Sequence, residues 1–235
     1  PTEVIFTGGG SEGANLFLKG AAARLKPGLL AVGATEHACV LAPARQLGKY
    51  GWRLRVLAVD GEGRIDGADY ARALAEQPRL ISVMGANNES GVMQEVAALA
   101  NAAQSTGAWF HSDMVQAFAK TPVSFRELNR QGLHALTLAG HKIGGPKGVG
   151  ALVLDKRVEL EPLIAGGGHE RGLRAGTENV PAIVGLGLAC TLAAERQAAL
   201  AAVARHRDAL EAALRVRGAT IFGAGAPRLP NTTFF

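Results

Sequence analysis

The stretch at residues 4–16, VIFTGGGSEGANL, constrains this chain most. An apolar run ends in three consecutive glycines and gives way to a helix-like segment. A strand that turns sharply into a helix presents unpaired backbone N–H groups at the helix start. The partial positive charge there favours an anion. The spacing Gly8-x-Gly10-x-x-Gly13 matches the dinucleotide fingerprint, and Glu36 follows the next strand-like run, where such a site places its ribose-binding acid. The loop also fits a single phosphate, with Ser11 adding a hydroxyl, or a tight turn that binds nothing. By itself it leaves all three open.

The rest of the chain keeps the alternation. Strand-like runs fall at 4–7, 29–34, 54–59, 80–86, 109–112, 135–139 and 149–154. Helical patterns fall at 11–25, 37–50, 66–76 and 94–106, and a long Ala-rich pattern, broken once, covers 180–216. Asp66 suits a helix N-cap. This order predicts an α/β fold with a mainly parallel sheet flanked by helices. In such sheets ligands sit beyond the carboxyl ends of the strands. The loops there read GGGSEG, TEH, NNESG, SDMVQ and AGHKIGGPKG, so glycines, amides, histidines and a lysine are predicted on one edge.

Composition narrows the ligand. With 235 residues, 48% of them hydrophobic, the chain can bury one sizeable core. Its net charge of +5 comes from scattered residues and aromatics are only 5%, which argues against a nucleic-acid partner. Two cysteines, Cys39 and Cys190, with no CxxC pair, indicate a reducing, cytoplasmic compartment. The longest charge-free stretch, 179–194, contains Pro and Gly and reads as a buried helix, so no membrane partner is expected. Six histidines form no HExxH or Cys/His cluster, so no metal site is expected. His134 and His206 read as surface residues. The chain opens on Pro1 and closes on the apolar run NTTFF, and both ends read as cut from something longer.

Two residues decide between the phosphate readings. Lys142 follows a strand in GHKIGGPKG, where an amine beside His141 can bond a carbonyl cofactor covalently. Asp113 follows a strand in FHSDMVQ. A buried carboxylate beside a pyridine nitrogen keeps it protonated, and the ring can then take up electrons from a carbanion. Alone, Lys142 would be a solvated lysine and Asp113 a helix cap. With the glycine cup and a flat partner at His37 they describe a pyridoxal phosphate site.

The stretches FTGGGSEGANL, TEHACVL, NNESGVMQ, FHSDMVQAFAK, AGHKIGGPKGVGAL and GGGHERGLRAGTENVPAIVG resemble the cysteine desulfurases of the NifS/IscS group, within the class V aminotransferases, over essentially the whole chain. The resemblance implies an aspartate aminotransferase-like fold of type I. Residues 1–204 would be its large cofactor-binding domain, without its N-terminal segment, and 205–235 the beginning of a small C-terminal α/β domain. It implies pyridoxal 5'-phosphate held covalently by Lys142, its ring nitrogen paired with Asp113, its ring hydroxyl bonded by Gln116, and its face stacked on His37, which shuttles protons. Gly10, Ser11 and His141 would hold the phosphate, and Asn88 would lie near the ring hydroxyl and the substrate carboxylate. Thr177 would reach the partner subunit's phosphate in a homodimer, with His169 and Arg171 in a signature loop near that interface.

The implied reaction converts L-cysteine to L-alanine and passes sulfur to an enzyme persulfide, then to an acceptor or scaffold protein of iron–sulfur cluster or thiolation pathways. A selenocysteine lyase or another class V enzyme is the rival with the same cofactor. A dinucleotide-binding oxidoreductase using Gly8–Gly13 and Glu36 is the rival from another class. The family's nucleophilic cysteine and substrate-clamping arginine would lie past Phe235, so the chain is expected to be inactive alone. Cys39 and Cys190 are expected as buried structural thiols. Ala139 stands where the family usually has a serine that meets the phosphate, and Thr137, on the same strand face, is the candidate replacement.

Overall fold

A computed structural model describes residues 2–235. Strands β1 (Val4–Thr7), β2 (Leu29–Gly33), β3 (Arg53–Leu57), β4 (Leu80–Ser82), β5 (Trp109–Asp113), β6 (Leu133–Ala139) and β7 (Gly150–Leu154) form one sheet in the order β1-β7-β6-β5-β4-β2-β3. The pairings β2–β3, β2–β4, β4–β5 and β5–β6 are parallel, and β7 is antiparallel to both β1 and β6. Every strand but β7 therefore points the same way.

Helices α1 (Gly10–Arg24), α2 (Ala38–Leu47), α3 (Gly67–Ala75), α4 (Val96–Ala103), α5 (Phe125–Arg130) and α6 (Val180–Glu195) flank the sheet, and α7 (Leu200–Val216) follows α6. Strand side chains alternate between two cores. Leu30, Val32, Leu80 and Leu152 pack with Phe17 and Leu18 of α1 and Val40 and Ala44 of α2. Ala31, Ile81, Phe110 and Leu136 pack on the other face with Tyr70 of α3, Val96 and Ala100 of α4, and Leu186 of α6. A sheet covered on both faces needs near-continuous apolar strands, and β2, LLAVG, is buried at every position.

Departures from the expected elements have local causes. β4 stops at Ser82 instead of running to Ala86. Val83 N and Gly85 N still donate to His111 O and Asp113 O of β5, at 3.1 and 2.8 Å. The intervening Met84 N turns the other way, to the Glu36 carboxyl, so a side chain replaces β2 as the partner. α5 had no counterpart in the sequence reading, although Ser124 caps it by accepting from Glu127 N at 3.3 Å. The long helical pattern does break once, at Arg196–Ala199, and residue 205 falls inside α7. His134 is not a free surface residue. Its Nδ1 accepts from Phe110 N at 3.0 Å, beside the register shift between Phe110 and His111.

The last stretch returns to the body of the molecule. Leu229 is fully buried, its N–H donates to Gly91 O at 2.8 Å, and Arg228 pairs with Glu211 of α7 at 2.6 Å. Among the described residues no single helix is long and apolar enough to cross a membrane. β6 and β7 are joined by a turn that begins with a 3-10 segment, Gly140–Lys142, closed by Gly140 N donating to Val149 O at 3.0 Å. Lys142 therefore sits in a hairpin between two paired strands.

Candidate active site

Because six strands share a direction, their carboxyl ends gather on one edge, and a pocket of 220 Å³ opens there. Gly10, Ser11, His37, Asn88, Asp113, Gln116, His141 and Lys142 all line it. These are the predicted site residues save Thr177, which lies exposed outside this pocket.

The start of α1 forms one wall. Gly9, its N-cap, has φ +152°, a conformation that side-chain-bearing residues avoid, and it brings no side chain to cap the helix. The first N–H groups of α1 thus need an acceptor from elsewhere. A Cβ on Gly10 would meet Val115 Cγ2 at 2.6 Å, so glycine lets this helix start approach the loop after β5. The geometry suits a bound anion.

Asp113 ends β5 and is buried. Its Oδ1 accepts from Val115 N at 2.9 Å, and its Oδ2 is met by the Cys39 thiol at 3.6 Å. Burial pushes the Asp113 carboxyl above its ordinary range, against the opposing pull of Val115 N–H, the thiol and the His37 charge. Cys39, expected as a core residue, instead lines the pocket. Burial, then the neighbouring Asp113, push its thiol up to about 12, so it stays protonated at neutral pH. Cys190 lies on α6, packed against the core, and burial raises its thiol too.

His37 is the N-cap of α2, its Nδ1 accepting from Cys39 N at 3.1 Å. That bond leaves the neutral ring with its proton on Nε2. Gln116 Oε1 accepts from Lys120 Nζ at 2.5 Å, and burial, aided by the Lys142 charge, lowers the Lys120 ammonium. Nothing in the sequence pattern marks Lys120, which stands four residues beyond Gln116 in the turn after β5. The sequence reading also passed over Asn87, whose Nδ2 donates to Thr35 O at 3.0 Å and whose Oδ1 accepts from Ser90 N at 2.9 Å, tying the loop after β4 to the loop after β2.

Two residues stand elsewhere than expected. Glu36 is turned inward: one oxygen accepts from Met84 N and the other is buried without a partner, so it offers nothing to a ribose. Thr137 is fully buried, opposite Asp113 in the sheet and close to Gly13 of α1, and does not line the pocket that Ala139 lines.

The model of the family described as "Aminotransferase class-V" matches residues 1–223. A protein named cysteine desulfurase from Enterobacter agglomerans is 40% identical over 98% of this chain and 58% of its own length. A solved "NIFS-like protein" superposes with a TM-score of 0.94 at 33% identity, covering 99% of this chain and 65% of its own. A structure described as SspA in complex with cysteine has a TM-score of 0.76 at 38% identity, over 81% of this chain and 55% of its own. The chain thus spans about three fifths of the length of the curated relative it matches, 58%. The fold they share is the predicted one, a mainly parallel sheet flanked by helices, made mixed by the reversed β7.

Proposed function

This chain belongs to the class V aminotransferase family, and from that premise we propose that it is the cofactor-binding part of a pyridoxal 5'-phosphate-dependent cysteine desulfurase. The observation that carries the proposal is convergence. An amine at Lys142, a buried carboxyl at Asp113, an imidazole at His37 and an uncapped helix start at Gly10–Ser11 line one pocket, although they lie far apart along the chain. The donor set fits the cofactor. Gly10, Ser11 and His141 would hold its phosphate, Asp113 its ring nitrogen, Gln116 and Asn88 its hydroxyl side, His37 its face and Lys142 its aldehyde carbon. When bound, the cofactor supplies an electron sink for a carbanion at the substrate Cα.

The chain's own groups then divide the work. The buried Asp113 would hold a proton on the ring nitrogen, and a buried carboxylate gains stability when a cation meets it there. Lys142 Nζ and His37 Nε2 are the atoms that move protons to and from the substrate, Nδ1 of His37 being engaged with Cys39 N. L-cysteine and an enzyme thiol give L-alanine and an enzyme persulfide, a step that balances without an added oxidant. Cys39 and Cys190 are both held protonated, which makes each a poor nucleophile for that step. The same proposal includes a homodimer in which Thr177 reaches the partner's phosphate, division into a larger part over 1–204 and the beginning of a smaller one over 205–235, and an iron–sulfur scaffold or other acceptor protein as partner.

Borohydride reduction after incubation with pyridoxal 5'-phosphate, followed by peptide mass mapping, tests the site. The label is expected on Lys142. Labelling of other lysines with Lys142 clean would overturn the assignment.

A further inference from the structure

The glycine loop is fastened by a segment distant in sequence. Glu12, in the first turn of α1, accepts from Gly8 N through Oε2 at 2.8 Å, and Arg174 Nε donates to its Oε1 at 2.8 Å. A second Arg174 nitrogen lies 3.4 Å from Oε2, and both side chains are mostly buried, at 26% and 19% exposure. Two neighbours of Arg174 grip the same edge. Glu170 Oε2 accepts from Phe6 N at 2.9 Å, and Arg171 Nη2 donates to Val4 O at 3.1 Å. Both residues adopt left-handed backbone, with φ of 45° and 58°, a conformation that is costly for side-chain-bearing residues and persists where surrounding contacts hold it. These contacts lie along β1, one of the two edge strands of the sheet.

Glu12 poses an electrostatic problem. It follows Ser11 directly, so its carboxylate stands beside the helix start that we assign to a phosphate. Two anions there repel unless a cation intervenes. We propose that Arg174 is a positioning residue for the phosphate cradle: it neutralises Glu12 and holds that carboxylate on Gly8 N, ahead of the helix, leaving the first N–H groups of α1 to the cofactor's phosphate. This rests on the reading of Gly10–Ser11 as the cradle. The role is one of charge, and charge can be added and removed independently of shape.

The test compares the affinities of pyridoxal 5'-phosphate and of pyridoxal, which lacks the phosphate, by absorbance titration of the purified protein. The ratio of the two dissociation constants isolates the phosphate. R174Q should cut the preference for the phosphorylated form by about fivefold to tenfold, because Glu12 is left unpaired. E12Q keeps an amide oxygen for Gly8 N and leaves Arg174 as a free cation, so its preference should equal or exceed that of the parent. The double variant E12Q/R174Q carries neither charge and should recover the parental preference, while pyridoxal affinity stays constant throughout. A merely structural role for Arg174 would leave the double variant as weak as R174Q, and that result would overturn the proposal. An unchanged preference in R174Q would overturn the clamp alone. A parent protein that binds both compounds equally would overturn the cradle itself, and the clamp with it. Should R174Q fail to fold, E12Q still decides: a fall in its preference below the parent contradicts the charge argument.

Discussion

Two regions of the molecule bury carboxyl groups and treat them in opposite ways. On α7, Glu211 meets Arg228 at 2.6 Å, with Arg215 at 3.4 Å and Arg207 at 3.9 Å. Hydrogen bonds from Arg228 outweigh the effect of burial and bring its carboxyl down to about 2. At the pocket edge, Asp113 is met by one backbone N–H and a thiol, and Glu36 by one N–H, with its second oxygen unpartnered. Burial wins there, and both carboxyls are pushed above the ordinary range. The α7 region uses a fully compensated charge to fasten the last stretch of chain. This edge of the sheet leaves both carboxyls under-compensated, and for Asp113, the one that lines the pocket, that is the condition of a group that awaits a cationic partner.

The comparison can be broken at each carboxyl. The largest effect is expected at Asp113. In D113N, exchange of the L-cysteine Cα proton for deuterium, measured by NMR with pyridoxal 5'-phosphate present, should fall about a thousandfold, roughly 4 kcal/mol of barrier. Cofactor affinity should change much less, and exchange rates equal to the parent's would refute the pairing. Next comes E211Q, which leaves Arg228 buried without its counter-charge and should cost roughly 3 kcal/mol in denaturant melts. Because the folded carboxyl lies at about 2, below its ordinary 4.5, the parent's advantage should be full above pH 4.5 and disappear as pH falls toward 2. The smallest effect has the opposite sign. Glu36 is raised, so its ionisation costs stability as pH rises above its ordinary 4.5. E36Q keeps an acceptor for Met84 N and should be about 1 kcal/mol more stable than the parent at pH 8, with no gain in acid. Destabilisation by E36Q at every pH would show that the two regions do not differ as described.

The strand ends were legible because apolar runs broken by Gly, Asn and Asp fix both the element and the edge on which its loop lies. That is why Asp113, His37 and Lys142 could be placed from residue types alone. What escaped depends on contacts between distant segments. Cys39 reads as an ordinary helix residue two positions beyond His37, and only the fold brings its sulfur to Asp113, 74 residues on. Arg174 and Glu12 are 162 residues apart, with no shared pattern to announce them. His134 looked exposed because nothing local shows that β5 shifts register beside it. α5 was different: Ser124 and Glu127 form a Ser-x-x-Glu start signal that the sequence does display, and the helix is only 6 residues long.

The reversed strand β7 gives the lysine turn an unusual freedom of length. Its two stems, β6 and β7, are locked by five cross-strand pairs from Ala135–Leu154 to Ala139–Gly150. Residues added or lost between Gly144 and Gly148 would lengthen or shorten the arch without sliding either stem. The amine, only three residues past Ala139, is held by the β6 stem and its 3-10 turn, so such changes would leave it in place over the pocket.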